Sequence, residues 1–260
     1  NVTFHHVKND SVKAAIKDIS FTIMPGKKVA LIAASGAGKT TIAKLLQRAY
    51  DPHEGSILVN GVDLRNVAIA AWRKAVGEIS QQIDIFDGTL RDNLLVAINS
   101  LEHGQYSDEV LEQTMNRFVI DFCSDQGLNT RLGKDGIHLS GGQQQRVAIA
   151  QVALKDEACI YIIDEATSSL DATTEKQVQK GFEELLSGNK SALIVAHKLA
   201  TVRNICTEFI VLKPLAELKE GESQIEAIGS SFEEIYPHSP TLRRLMADQD
   251  LSLEKNRVVV

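Results

Sequence analysis

The chain has 260 residues, 43% hydrophobic and 24% charged, the balance of a globular protein whose core needs no metal or disulfide to hold it. Its 28 Lys+Arg against 34 Asp+Glu give a net charge of -6, which argues against a general nucleic-acid binder of the usual basic kind. The longest apolar stretches, such as Val29–Ala34 and Ala158–Ile163, fall far short of the roughly 20 residues of a membrane span. No signal peptide opens the chain, and Cys123, Cys159 and Cys206 are scattered without CxxC spacing, so it reads as soluble, reduced and cytosolic.

In chain order, Ile19–Ile23 alternates apolar and polar before the turn Pro25-Gly26. Val29–Ala34 is a continuous apolar run, suited to a strand buried on both faces of a parallel sheet. Thr40–Ala49 predicts a helix with Ile42, Leu45 and Leu46 on one side. Ser56–Val59 predicts a strand ending at the turn Asn60-Gly61, and Val76–Ile79 another strand. From about Thr89 to Leu154 the pattern is mostly helical, with Ser107 as a cap and Leu111, Met115 and Phe118 sharing a face. Alternation then returns: strand Cys159–Ile163, a helix presenting Val178, Phe182 and Leu185, strand Ala192–Val195 and strand Phe209–Leu212. An edge strand over Glu222–Ile228 and a short helix over Ser239–Ala247 follow, before a frayed tail at 251–260. Strands alternating with helices imply an α/β fold with a mainly parallel sheet.

Strand Val29–Ala34 runs directly into Ser35-Gly36-Ala37-Gly38-Lys39-Thr40-Thr41 and then a helix. That is the strand–loop–helix setting of a phosphate-binding P-loop. Glycines let backbone N–H groups turn inward around phosphate oxygens, and the helix N-terminus adds partial positive charge. Lys39 would reach the β- and γ-phosphates, and the Thr40 hydroxyl would hold Mg²⁺. One position departs: the full motif wants glycine five residues before Gly38, and Ala33 stands there, adding a Cβ that restricts the backbone.

Four more segments follow. They are Gln81; Leu139-Ser140-Gly141-Gly142-Gln143 with Gln144–Ala150 after it; Ile160–Asp171, which contains Asp164-Glu165 and ends at Asp171; and Ile194–Val202 around His197. With the P-loop, and in this order, they resemble the nucleotide-binding domain of ATP-binding cassette (ABC) transporters, over roughly residues 1–212. Tyr50-Asp51-Pro52, Asn60–Arg65, Phe86–Asn93 and Leu132–Gly136 are most similar to exporter sequences, the last of them to the X-loop that couples to the membrane domain. The resemblance implies a RecA-like P-loop NTPase core with an N-terminal antiparallel β subdomain. An α-helical subdomain at about 86–156 would be inserted in one ABC ATPase domain spanning 1–250.

It also implies roles. Asp164 would pair with Mg²⁺ through water. Glu165, pointing the other way in an extended strand, would be the general base polarising the attacking water. Gln81 would contact Mg²⁺ and that water, and His197 would hold the γ-phosphate. Ser35, Gly36, Ala37, Gly38, Lys39, Thr40 and Thr41 would cradle the phosphates. His6 takes the place where the family has an aromatic residue stacked on adenine, although a surface strand histidine fits the segment equally. Ser140 to Gln143 reads both as a capping box and as the signature segment binding the γ-phosphate held by another subunit. Asp171 reads both as a helix cap and as the D-loop at the dimer interface.

Each motif occurs once, so one chain cannot complete a site. The resemblance implies a head-to-tail dimer of nucleotide-binding domains holding ATP and Mg²⁺, driving a transmembrane domain absent from this chain, at the cytoplasmic face of a membrane. The start within a strand favours an excised domain over a separate subunit. Two alternatives stand beside the exporter motor. An importer subunit is disfavoured by the Phe86–Asn93 and Leu132–Gly136 segments. A non-transport or weakly hydrolysing regulatory ABC ATPase is disfavoured by the absence of heptads between Lys39 and Leu139 and by the intact Lys39, Gln81, Asp164, Glu165 and His197. Residues 213–221 fit no family pattern.

Overall fold

The computed structural model of the chain describes residues 1–8, 11–80, 82–98, 104–123, 125–134, 136–164, 172–196 and 198–253. In order they form β1 (Val2–Lys8), β2 (Ser11–Ile19), β3 (Lys28–Ala33), α1 (Lys39–Leu46), β4 (Leu58–Val59), β5 (Val62–Asp63) and α2 (Ile69–Ala75). Next come β6 (Val76–Ile79), β7 (Gly88–Thr89), α3 (Leu90–Leu95), α4 (Asp108–Arg117), β8 (Arg131–Leu132), α5 (Gly141–Ala153), β9 (Ile160–Asp164) and α6 (Ala172–Leu185). The chain closes with β10 (Ser191–Ala196), α7 (Leu199–Ile205), β11 (Glu208–Leu212), β12 (Ile225–Gly229), α8 (Phe232–Ile235) and α9 (Pro240–Asp248). These elements divide into two compact units, Asn1–Arg73 with Asn189–Val260, and Lys74–Gly188.

In the first unit the strands run in the order β12-β11-β3-β10. β3 is parallel to both neighbours, with Leu31 opposite Val195 on one side and Ile210 on the other. Ala30, Leu31 and Ile32 are fully buried, which is why this strand is apolar at successive positions rather than alternately. β12 pairs antiparallel with β11 at the edge, starting three residues later and ending one later than the Glu222–Ile228 pattern suggests. β1 and β2 form the antiparallel N-terminal hairpin, and β4 and β5 a second one. Asn60 (φ 50) and Gly61 (φ 82) supply the two left-handed positions that its tight turn requires.

In the second unit β6 and β9 pair in parallel, Ile79 opposite Ile163. α5 packs against α3 and α6, and Leu90, Leu94, Leu111, Val147, Ile149 and Val178 are fully buried there. The unit extends beyond the helical stretch of about 86–156 to take in β6, β9 and α6. Between α4 and α5 the described residues hold a 3₁₀ turn (Gly127–Asn129) and β8, which pairs antiparallel with β7 from before α3. At Gly133 (φ 89) and Gly136 the loop runs so close to Asp87 and Arg131 that a Cβ would clash.

Three local expectations differ from the structure. The strand expected over Ser56–Val59 forms only at Leu58–Val59. Of Ile19–Ile23 only Ile19 is in a strand: Phe21 and Ile23 do turn inward more than Ser20 and Thr22, but these residues are assigned to no strand. The predicted helix Thr40–Ala49 stops at Leu46 because Arg48 is left-handed (φ 56), its guanidinium donating to the Val67 carbonyl and, at 2.8 Å, to that of Arg65. The other helices match their pattern. Ser107 caps α4, its hydroxyl accepting from Val110 N–H at 3.4 Å, and Ser239 caps α9 in the same way from Leu242 N–H at 3.0 Å.

All three cysteines are free, and burial pushes the Cys206 thiol up to about 12, leaving it inert. Among the described residues no group of three His, Cys, Asp or Glu could hold a metal, and no helix is long and apolar enough to cross a membrane.

Candidate functional site

The end of β3 and the start of α1 position the phosphate loop. Gly38 is the N-cap of α1 in the left-handed conformation (φ 92), and Gly36 is left-handed too (φ 76). A side chain cannot be accommodated at Gly38, where a Cβ would lie 2.3 Å from the Ala15 carbonyl oxygen and 2.5 Å from Ile16 Cγ2. At Gly36 the same Cβ meets nothing within 4 Å. No side chain caps α1 and no acidic residue stands in its first turn, so its N–H groups and partial positive charge stay available to an anion.

Lys39 opens α1 with its side chain folded back over the loop. Nζ donates to the Ala33 carbonyl at 2.9 Å and to that of Ala34 at 3.3 Å, and the residue is 5% exposed. The ammonium is thus held by backbone oxygens at the mouth of the loop, where it can exchange them for phosphate oxygens. Ser35, Gly36 and Thr40 are exposed, Ala37 and Thr41 buried.

Ala33 does not restrict the loop as the sequence motif suggests. It is the last residue of β3, paired with Leu212 and without a positive φ, so the turn begins after it and its Cβ rests in an ordinary strand position. Ala33→Gly is therefore expected to leave nucleotide affinity within about twofold and to lower stability by roughly 0.5–1 kcal/mol through backbone entropy. Calorimetric titration and urea melts check both.

His6, exposed on β1, lies beside the same helix. Its Nε2 is 3.4 Å from Thr41 Oγ1, and its ring stands edge-on to Phe4 (5.2 Å) and Tyr50 (5.9 Å). Tyr50, 38% exposed and stacked on Phe4 at 5.3 Å, is a second ring beside His6 that the sequence marks only through its Asp51-Pro52 neighbours.

In the second unit Asp164 ends β9, and at 8% exposure it is a carboxylate carried almost into the core. Burial of this kind is costly for a charge unless a cation or donors compensate. α5 begins at the signature segment. Ser140 Oγ accepts from Gln143 N–H at 3.4 Å while Gln143 Oε1 accepts from Ser140 N–H at 2.8 Å, a complete capping box. Gly141 is exposed, with nothing within 4 Å of an added Cβ, so the capped helix start is sterically open.

The segment Phe86–Asn93 is held by Asn93. Its fully buried amide donates to the carbonyls of Phe86 and Thr89, both at 3.0 Å, and accepts from Phe86 N–H at 2.8 Å, leaving the Phe86 ring 53% exposed. Thr89 and Asp92 form the capping box of α3, and the Thr89 hydroxyl and N–H hold the Asp92 carboxyl below the usual carboxylate range. Gln81, Glu165, Asp171 and His197 lie outside the described residues.

The family model described as ABC transporter matches residues 16–168, more than half of the chain. Over 216 residues the chain is 41% identical to an ATP-dependent lipid A-core flippase of Shigella sonnei (strain Ss046) and 40% identical to that of Escherichia coli (strain K12). Each match covers 82% of this chain and 36% of the relative, so the chain spans about a third of the length of these curated proteins. Among solved structures it is similar to a bacterial Atm1-family ABC exporter with ATP bound, at TM-score 0.81 and 30% identity over 97% of this chain and 41% of that one. An uncapped glycine loop closed by a buried lysine, a carboxylate ending a core strand and these similarities agree: the chain belongs to the ABC transporter family, with the mainly parallel P-loop fold of its exporters' nucleotide-binding domains.

Proposed function

We propose that the chain is the ATP-binding and ATP-hydrolysing motor domain of an ABC exporter. The observation that carries this reading is the P-loop itself: left-handed Gly36 and Gly38, an uncapped helix start and Lys39 Nζ held 2.9 Å from a loop carbonyl. Residues 1–250 act as one ATPase domain, with the helical stretch of about 86–156 as its inserted subdomain.

Ser35, Gly36, Ala37, Gly38 and Thr41 cradle the phosphates, and Lys39 moves from its carbonyls onto the terminal ones. The exposed Thr40 hydroxyl, the Asp164 carboxylate and the Gln81 amide offer the hard oxygen donors that Mg²⁺ prefers. When bound, that ion neutralises charge on the transferring phosphoryl group. Glu165 takes the proton of the attacking water, Gln81 orients that water and His197 holds the γ-phosphate. His6 lies against the adenine.

Ser140, Gly141, Gly142 and Gln143 face the nucleotide held by a second nucleotide-binding domain, with Asp171 crossing the interface. Closure of this head-to-tail pair on ATP, and reopening after hydrolysis, drives a transmembrane domain. The Leu132–Gly136 segment touches the helices that couple to it, and the exposed Phe86 ring, held by Asn93, offers an apolar surface in the same unit. The domain so held works at the cytoplasmic face of the membrane, and cargo choice belongs to the transmembrane part. The relatives named as lipid A-core flippases and the Atm1-family exporter support export as the direction.

Phosphate release tests the reading. The wild-type chain is expected to hydrolyse ATP in a Mg²⁺-dependent manner, and Lys39→Ala to abolish it. Equal release by the two would contradict the assignment.

A further inference from the structure

Residues 213–221 interrupt the end of the sheet with a stretch that matches no motif, and the residue that closes this excursion is Gln224. Its side chain is fully buried, which is rare for glutamine unless every polar atom is engaged. Here each one is. Oε1 accepts from the Lys17 N–H on β2 at 3.0 Å, and Nε2 donates to the Ala37 carbonyl at 2.8 Å and to the Lys213 carbonyl at 3.2 Å. A backbone N–H can only donate and a carbonyl can only accept, so the amide has a single orientation. The main chain adds two more ties, Gln224 N–H to the Lys17 carbonyl at 3.3 Å and Lys213 N–H to the Gln224 carbonyl at 2.9 Å. The Lys213–Glu222 ion pair at 3.2 Å closes the base of the excursion beside it.

Ala37 is the residue between the two left-handed glycines of the P-loop. Its carbonyl and the Gly38 N–H belong to one planar trans peptide and point in opposite directions. A donor that holds the carbonyl on one side therefore aims the Gly38 N–H to the other. We infer that Gln224 is a positioning residue for the phosphate loop, fixing the Ala37–Gly38 peptide so that Gly38 N–H is presented to bound phosphate, and that the excursion at 213–221 is the framework that sets Gln224. The inference rests on the reading of this loop as the nucleotide site.

The test is the affinity of the 260-residue chain for a fluorescent mant-ATP, measured at low temperature, well below unfolding. Gln224→Met keeps the length and volume and removes both donors. It is expected to weaken mant-ATP about tenfold with an unchanged far-UV spectrum, since hydrogen bonds to charged groups are individually strong. Affinity within about twofold of wild type, in a folded variant, would overturn the inference. Gln224→Glu gives a second readout that a packing role does not move. Its carboxyl can donate only when protonated, so the ratio of variant to wild-type mant-ATP affinity should fall as pH rises from about 6 to 9. A profile parallel to wild type would overturn the inference even if Gln224→Met failed to fold. Failure of wild type itself to bind mant-ATP would instead count against the nucleotide-site reading.

Discussion

Glu165→Gln is expected to lower ATP turnover by about 10²–10⁴-fold, the usual contribution of a general base, while leaving ATP binding intact. The substitution is close to isosteric and removes only the group that takes the proton of the attacking water. The phosphate cradle of β3 and α1 is untouched, so the variant should accumulate ATP rather than lose it. Single-turnover hydrolysis and nucleotide retention after gel filtration separate the two effects. Wild-type turnover by the variant would show that the base lies elsewhere. Loss of binding along with turnover would show that Glu165 holds the nucleotide rather than activating water.

The second large effect is expected at Gly38. Alanine there must adopt φ near +92° and place its Cβ 2.3 Å from the Ala15 carbonyl oxygen, a distance no side chain occupies without moving the backbone. The left-handed conformation costs an alanine roughly 1–2 kcal/mol, and overpacking typically adds about 1–3 kcal/mol. Relief requires β2 or the loop to shift, and either movement turns the Gly38 N–H away from phosphate. Gly38→Ala is therefore expected to lose mant-ATP binding and several degrees of melting temperature. Gly36→Ala is the matched control: it has the same hand (φ 76) but open space around the added Cβ, so it should show only the smaller, conformational destabilisation. Equal melting temperatures for the two would contradict the close approach at Ala15.

Much of this site is local in the sequence, and that is why it can be read there. β3 is legible because both its faces are covered and its residues are apolar in succession. The P-loop is legible because strand, glycines, lysine and helix follow one another within a dozen residues. The capping boxes at Ser140 and Thr89 are likewise set by residues three apart.

What the sequence conceals is long-range or conditional on backbone geometry. Ala33 looks like a damaged glycine position until it is seen to finish a strand. The alternation of Ile19–Ile23 reports which side chains turn inward but not whether a neighbouring strand is there to pair. The end of α1 at Leu46 depends on Arg48 reaching carbonyls 17 and 19 residues away. Gln224 carries no periodic or motif signal at all, because its partners at Lys17 and Ala37 are brought to it only by the folded sheet.

Under the proposed function this chain carries half of a composite ATP site, and the sharpest form of that proposal is that a second copy of the chain completes it. Its most direct test is the solution mass of Glu165→Gln by light scattering, with and without Mg·ATP. A shift from monomer to dimer on adding Mg·ATP is the predicted result, since the P-loop of one copy and the Ser140–Gln143 segment of the other would then share each nucleotide. A monomer that persists under saturating ATP would contradict it.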